Sequence, residues 1–241
     1  MSDVIFLDEV DSTNNYLKAH CGGLADGCTV TARLQTAGRG RRGHDWAANE
    51  DMLPLSILLK DPPERDNLTA RVGLAVCGAL EEVCGDRFKA AVKWPNDVIV
   101  DARKVCGILC ESVFFGDCVN VIVGIGVNVS QSEDFFKASG LPHAASLLML
   151  TGKAPERGRL LEAIADHVKK RAAMPFSECL GEYRARLLNL NREVRLISES
   201  GERSAFAVDV APNGHLLCRD ENGIFEVSSG EVSVRGADGY L

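Results

Sequence analysis

No stretch of this sequence approaches the ~18 consecutive apolar residues that a membrane-spanning helix needs. The first apolar run covers only Val4 to Leu7, behind Met1-Ser2-Asp3. An acid stands where a secretory signal carries lysine or arginine, so the sequence predicts a chain without a signal peptide. Basic charge is scarce: 27 Lys and Arg stand against 34 Asp and Glu, a net charge of −7. A duplex-binding protein shows a basic footprint, so the balance argues against nucleic acid as the main partner. The 9 cysteines form no C-x-x-C pair, and no histidine sits at zinc-ligand spacing beside a cysteine pair. They read as small buried hydrophobes kept reduced in a cytoplasm. Internal repeats, low-complexity tracts, a Walker A motif and a G-x-S-x-G elbow are all absent.

What is present is an ordinary globular composition, 46% hydrophobic and 25% charged over 241 residues. That length buries ~70% or more of the unfolded surface and allows one to two domains. Residues 4–8 read as a strand, and Asp11-Ser12-Thr13-Asn14 supplies N-cap oxygens for a short helix through His20. From Cys28 to Gln35 the chain alternates, with Cys28, Val30, Ala32 and Leu34 on one face and Thr29, Thr31, Arg33 and Gln35 on a polar one. Residues 36–50 have no period and read as a loop. Strands are predicted at 53–59, 90–94, 98–101, 104–113 and 118–129, the last as a central strand. Helices are predicted at 68–83, 159–172 and 178–190. After about Asn191 five short β-like runs follow, separated by turn signals such as Pro212-Asn213-Gly214. They predict a small barrel appended to an α+β domain. Acidic residues outnumber basic ones there, a poor composition for a nucleic-acid module.

Four segments carry chemistry. Gln35 to Trp46 holds Gly38-Arg39-Gly40-Arg41-Arg42-Gly43, a positive focus in an acidic chain. Its glycines admit close backbone approach and its arginines offer fork donors for carboxylate or phosphate. Lys93-Trp94-Pro95-Asn96-Asp97 reads as a strand end and a turn. Lys104 opens an apolar strand, where a lysine needs an anionic partner. Gly124-Ile125-Gly126 lacks the third glycine and the following helix of a dinucleotide site.

In this order and spacing, and with Ser12-Thr13-Asn14, Gly107-Ile108-Leu109, Asn128 and Ser229-Gly230-Glu231-Val232 added, these segments resemble the biotin–protein ligases of the biotin/lipoyl ligase family. The resemblance covers nearly the whole chain. It implies an α+β fold: a mixed β-sheet flanked by helices, class II synthetase-like, in a catalytic domain over 1–190, with a small SH3-like β-barrel over 191–241. It implies ATP-dependent formation of biotinyl-5′-AMP and transfer of biotin to a lysine of a biotin carboxyl carrier domain, with ATP, biotin and Mg2+ as the small molecules. By resemblance Ser12, Thr13, Asn14 and Gln35 belong to the biotin head. Arg39, Gly40 and Arg41 resemble the clamp around the biotin carboxylate and adenylate phosphate. Trp46 resembles an apolar wall shared by both ligands, and Gly107 a close approach to the bicyclic ring. Asn96 and Asn128 resemble nucleotide contacts. Lys104, with Arg39 and Arg41, carries the catalytic role, bridging carboxylate and α-phosphate. No metal ligand is assigned; Asp97 is the nearest carboxylate.

Three departures add expectations. His44 stands where the family often has a third loop arginine, which predicts an ATP KM that rises from about pH 6 to about 8 as an imidazole of pKa ~6.5 loses its proton. In a regular strand Cys106 and Cys110 would share the Lys104 face. The pattern at Val208 to Gly214 matches loosely. His20, His143, His167 and His215 share no spacing and read as surface or capping residues. A first strand near Val4 predicts no room before it for the winged helix by which some family members repress transcription. Some members dimerise along a sheet edge, so a homodimer fits the family. The rival readings are a lipoate ligase of the same fold, a non-catalytic sensor of biotin or biotinyl-AMP, and an RNA-binding module.

Overall fold

Among the described residues the alternating and helical patterns become twelve strands and six α-helices. In the computed structural model the described residues are 4–43, 46–85, 88–115, 118–198, 201–228, 233–236 and 239–240. His44 and the Ser229 to Val232 segment lie outside them. The order is β1 (Val4–Val10), α1 (Thr13–His20), β2 (Thr29–Gln35), β3 (Met52–Leu59), α2 (Leu68–Cys84), β4 (Ala91–Lys93), β5 (Asp97–Val100), β6 (Arg103–Phe115) and β7 (Cys118–Asn128). Then follow α3 (Glu133–Ala138), α4 (Leu147–Thr151), α5 (Arg157–Ala172), α6 (Phe176–Arg186), β8 (Arg192–Ser198), β9 (Gly201–Val210), β10 (Leu216–Asp220), β11 (Gly223–Val227) and β12 (Ser233–Gly236).

The first seven strands form one mixed sheet in the order β1-β2-β3-β7-β6-β5-β4. Only β1 and β2 run parallel, joined by the α1 crossover. The very apolar β7 is the central strand, as its composition predicts. Each face is covered. Leu17 of α1 packs on Val30, Leu58 and Ile122 on one side. Leu55 and Ile57 face α2 and α5 on the other, with Leu74, Leu160 and Ile164 among the buried contacts. Strand β3, buried at all eight positions, alternates between the two.

Two local details place the later site. The β2–β3 ladder stops at Thr31↔Leu55. Thr29 and Thr31 are buried rather than facing solvent, so Gln35 is available because it lies beyond the ladder, not because its face is polar. On β6 the register shifts: Val98 pairs with Cys106 but Ile99 with Lys104, which leaves Val105 as a bulge residue. The bulge reverses the parity, so Lys104 and Gly107 share one side. Cys106 turns into the core instead, and the regular-strand expectation fails there.

The last five strands form an antiparallel sheet in the order β11-β10-β9-β8-β12. Among the described residues no ladder joins β11 to β12. Helices α3 and α4 have no counterpart in the sequence pattern, being six and five residues long. They are started by side-chain caps: Ser132 accepts from Phe135 N and Ser146 from Met149 N. The helix predicted over 178–190 ends at Arg186, because Leu187 turns extended and Leu188 N bonds Val92 O at 2.9 Å.

Arg71 ties the helical layer together. Its guanidinium is fully buried and donates to Asn67 Oδ1 at 3.0 Å, Ala172 O at 2.7 Å and Met174 O at 3.0 Å, and to Glu64 O. Arg71→Met would leave these acceptors dry. We expect a loss of about 3 kcal/mol in urea unfolding; an unchanged midpoint would contradict this role.

Candidate active site

Three glycines thin the sheet at one place. Gly107 and Gly126 are cross-strand partners on β6 and β7, and Gly124 lies two residues before Gly126. The Trp46 indole lies over the first pair: a methyl on Gly107 would stand 2.4 Å from its Cζ3, and one on Gly126 2.8 Å from its Cε2. A methyl on Gly124 would meet Asn14 Oδ1 at 2.4 Å. Only glycine lets α1 and the indole approach the sheet this closely. The result is a cavity of about 350 Å³, in the size range of small-molecule sites.

All twelve residues singled out by sequence meet in its wall: Ser12, Thr13, Asn14, Gln35, Arg39, Gly40, Arg41, Trp46, Asn96, Lys104, Gly107 and Asn128. At one end Gln35 Oε1 accepts from Thr13 N at 2.8 Å and Thr13 Oγ1 at 3.0 Å. Gln35 and Thr13 both line the cavity. Ser12 begins α1 without making a capping bond, so its hydroxyl is also available. Asn14 is different. Its oxygen takes a bond from Ser56 Oγ at 2.6 Å, and its nitrogen donates to Glu111 at 2.8 Å and to Leu109 O at 3.4 Å. It supports the helix start from beneath. Glu111 also holds Lys18 at 2.5 Å, and Arg39 stands 4.0 Å from it.

The other end gathers charge: Arg41, Lys93, Lys104 and Arg235 line the cavity around one carboxylate, Asp97, while Arg39 lines it from beside α1, donating to Asn15 Oδ1 at 3.2 Å. Lys104 Nζ stands 2.6 Å from Asp97 Oδ1 and 5.1 Å from the centre of the Trp46 ring. Tyr240 donates its hydroxyl to Asp97 Oδ2 at 2.6 Å. Asn96 orients Arg41, accepting from its Nη1 at 3.2 Å, and Asn128 donates to Lys104 O at 3.2 Å. Burial opposes ionisation of Asp97, but Lys104 and Lys93 outweigh it and hold the group below the ordinary aspartate range. Burial also depresses Arg41 and, with help from Arg235, Lys104 and Lys93, depresses His143.

Lys93, His143, Arg235 and Tyr240 join the wall beyond the site residues the sequence points to, and Asp97, expected there only as the nearest carboxylate to a metal, is the partner of Lys104. His143 is not a surface or capping residue: it lines the cavity and stacks on Tyr240 at 4.1 Å. A signal for Lys93 and Asp97 existed in the Lys-Trp-Pro-Asn-Asp turn. Trp94 between them is a packing residue, its N–H groups bonded to Asn189 Oδ1 and Gly214 O. Cys106 and Cys110 do not line the cavity. Burial pushes Cys110 up to about 11 and Cys106 higher still, so neither is a reactive thiol.

Among the described residues no three His, Cys, Asp or Glu side chains gather as a metal site. The one cavity carboxylate is already shared by Lys104 and Tyr240. The donor set does not fit a protein-held divalent cation.

Burial, opposed by Asp97 and reinforced by Arg235, Lys104 and Arg41, lowers Lys93 from 10.5 to about 8. Between those values the unfolded chain binds more protons than the folded one, so this group's contribution to stability rises with pH. Unfolding free energy of the wild type relative to Lys93→Met should therefore rise between about pH 7.5 and about pH 10. A pH-independent difference in urea titrations would contradict the burial of a charged Lys93.

Residues 6–128 match the model of the biotin/lipoate A/B protein ligase family, and residues 190–235 match that of the biotin protein ligase C-terminal domain. The chain is 34% identical to the biotin–[acetyl-CoA-carboxylase] ligase of Mycobacterium tuberculosis, over 93% of this chain and 86% of that protein. It is 30% identical to the bifunctional ligase/repressor of Escherichia coli, over 98% of this chain and 75% of that one. A structure of the Aquifex aeolicus biotin protein ligase in complex with biotin and ATP superposes with a TM-score of 0.81 at 35% identity, covering 98% of this chain and 100% of that chain. The chain belongs to the biotin/lipoate protein ligase family.

Proposed function

We propose that this protein is a biotin–protein ligase, which condenses biotin with ATP and passes the biotinyl group to a lysine of a biotin carboxyl carrier domain. The observation that carries this reading is the polarity of this cavity. One end offers Ser12, Thr13 and Gln35, the middle is the Trp46 indole laid over Gly107 and Gly126, and the far end is a cation cluster around Asp97. A ligand with a small polar head, an apolar body and a carboxylate fits that sequence of surfaces.

In the first step the biotin carboxylate oxygen attacks the α-phosphorus of ATP and pyrophosphate leaves with the electrons of the broken P–O bond. Two anions must meet, and Lys104, Arg39 and Arg41 offset their repulsion. No side-chain nucleophile is needed. In the second step the carrier amine attacks the acyl carbon and AMP leaves. Trp46 covers the mixed anhydride on its sheet side and limits access of water. Thr13 and Gln35 orient each other at the head. Asn14 supports them, Asn96 aims Arg41 and Asn128 fixes the Lys104 backbone. Gly40 and Gly107 keep the wall thin. Magnesium is implied by the family; among the described residues no cluster fits it, and Lys104, Arg39 and Arg41 supply the protein's own share of the charge neutralisation.

On this reading the chain divides near residue 190 into a catalytic domain over 1–190 and a C-terminal domain over 191–241, a division supported by the separate five-stranded antiparallel sheet. ATP use and nine free cysteines suit the cytoplasm. A homodimer would pair along β1, the edge strand, where Phe6 is 70% exposed.

Labelled biotin, ATP-magnesium and a purified carrier domain test the reading. ATP-dependent label on the carrier lysine supports it. Tight binding without transfer would favour a sensor, and pyrophosphate release with lipoate instead of biotin a lipoate ligase. Lys104→Ala should slow biotin-dependent pyrophosphate release ~100- to 1000-fold with biotin affinity little changed; near-normal release would refute the role of Lys104.

A further inference from the structure

The carboxylate that pairs with Lys104 is itself held from outside the seven-stranded sheet. Asp97 closes the β4–β5 turn, and its second oxygen receives the Tyr240 hydroxyl at 2.6 Å. Tyr240 follows β12, more than a hundred residues away in the chain. Its ring is fixed by its neighbours: it stacks on His143 at 4.1 Å with an interplanar angle of 15°, and Lys93 Nζ lies 4.3 Å from its centre. The Arg235 guanidinium stands 5.3 Å from the same centre. Lys93 in turn donates to Val234 O at 2.9 Å. So the strand-and-turn motif of the catalytic sheet and the segment after β12 are stitched together at one carboxylate.

A carboxylate has two oxygens, and its rotation about χ2 decides which cation each one meets. With Oδ2 committed to a fixed phenol, Oδ1 is aimed at Lys104. Without that bond Asp97 can turn toward Lys93, its cross-strand partner on β4.

We propose that Tyr240 is a positioning residue for the adenylating lysine: its hydroxyl locks Asp97 so that Lys104 is held where carboxylate and α-phosphate meet. The proposal rests on the ligase reading. It gives the C-terminal sheet a part in the chemistry of the first step without placing any of its atoms on the reacting groups.

The test compares wild type with Tyr240→Phe, which keeps the stack on His143 and the cations over the ring and removes only the hydroxyl. Biotin-dependent pyrophosphate release should fall roughly ten-fold in kcat, the scale of one hydrogen bond to a charged group. KM for biotin and for ATP should stay within about two-fold, while the thermal midpoint falls by a few degrees at most. A merely structural tyrosine would lower the midpoint and leave kcat at the wild-type value. Tyr240→Leu removes the ring as well and should be at least as slow. A Tyr240→Phe enzyme with wild-type kcat beside an active wild type would overturn the proposal while leaving the ligase reading intact. A wild type that releases no pyrophosphate with biotin would overturn the ligase reading and this proposal with it.

Discussion

The buried ion pair between Lys104 and Asp97 is the constraint on which the site depends. Five cations facing one cavity would repel one another and would each lose hydration energy. One carboxylate beside Lys104, Lys93 and Arg41, with Glu111 near Arg39, makes the arrangement tenable, and Asp97 is placed to serve three of its neighbours at once. Lys104 and Tyr240 take one oxygen each, and Lys93 feels its charge without touching it. The cavity still carries a surplus of positive charge, which suits a site where two anionic ligands must come together.

That pair exists because of backbone details, not composition. The Val105 bulge brings Lys104 to the side of Gly107, where a regular strand would have put Val105. Gly107 and Gly126 lower the sheet so that the Trp46 indole can lie across it, and Gly124 does the same for Asn14. Asn14, Asn96 and Asn128 spend their hydrogen bonds on the protein, and each holds a neighbour that faces the cavity. The residues that would touch ligand are few; those that hold them are more numerous and better buried.

Most strands and the longer helices were legible in the sequence because their periods are long enough to see. The central position of β7 followed from its apolar run. The short helices α3 and α4 were not legible: one turn of periodicity is no pattern, and only a serine cap marks each start. The cavity residues were legible as a joint motif of glycine, arginine and lysine, and all twelve chosen residues share its wall. Lys93 and Asp97 sat inside the same motif but read as an ordinary turn. Tyr240 and His143 carried no local signal, since their meaning arises only when distant segments stack. The bulge at Val105 was invisible for the same reason, as register is a property of two strands.

The central claim is that Asp97 organises the cations that join two anions. Biotin-dependent pyrophosphate release by Asp97→Asn at saturating biotin and ATP tests it most directly. The variant keeps the shape of the side chain and loses its charge, so the account predicts a rate ~100-fold below wild type with biotin still bound. A variant that turns over at the wild-type rate would contradict it.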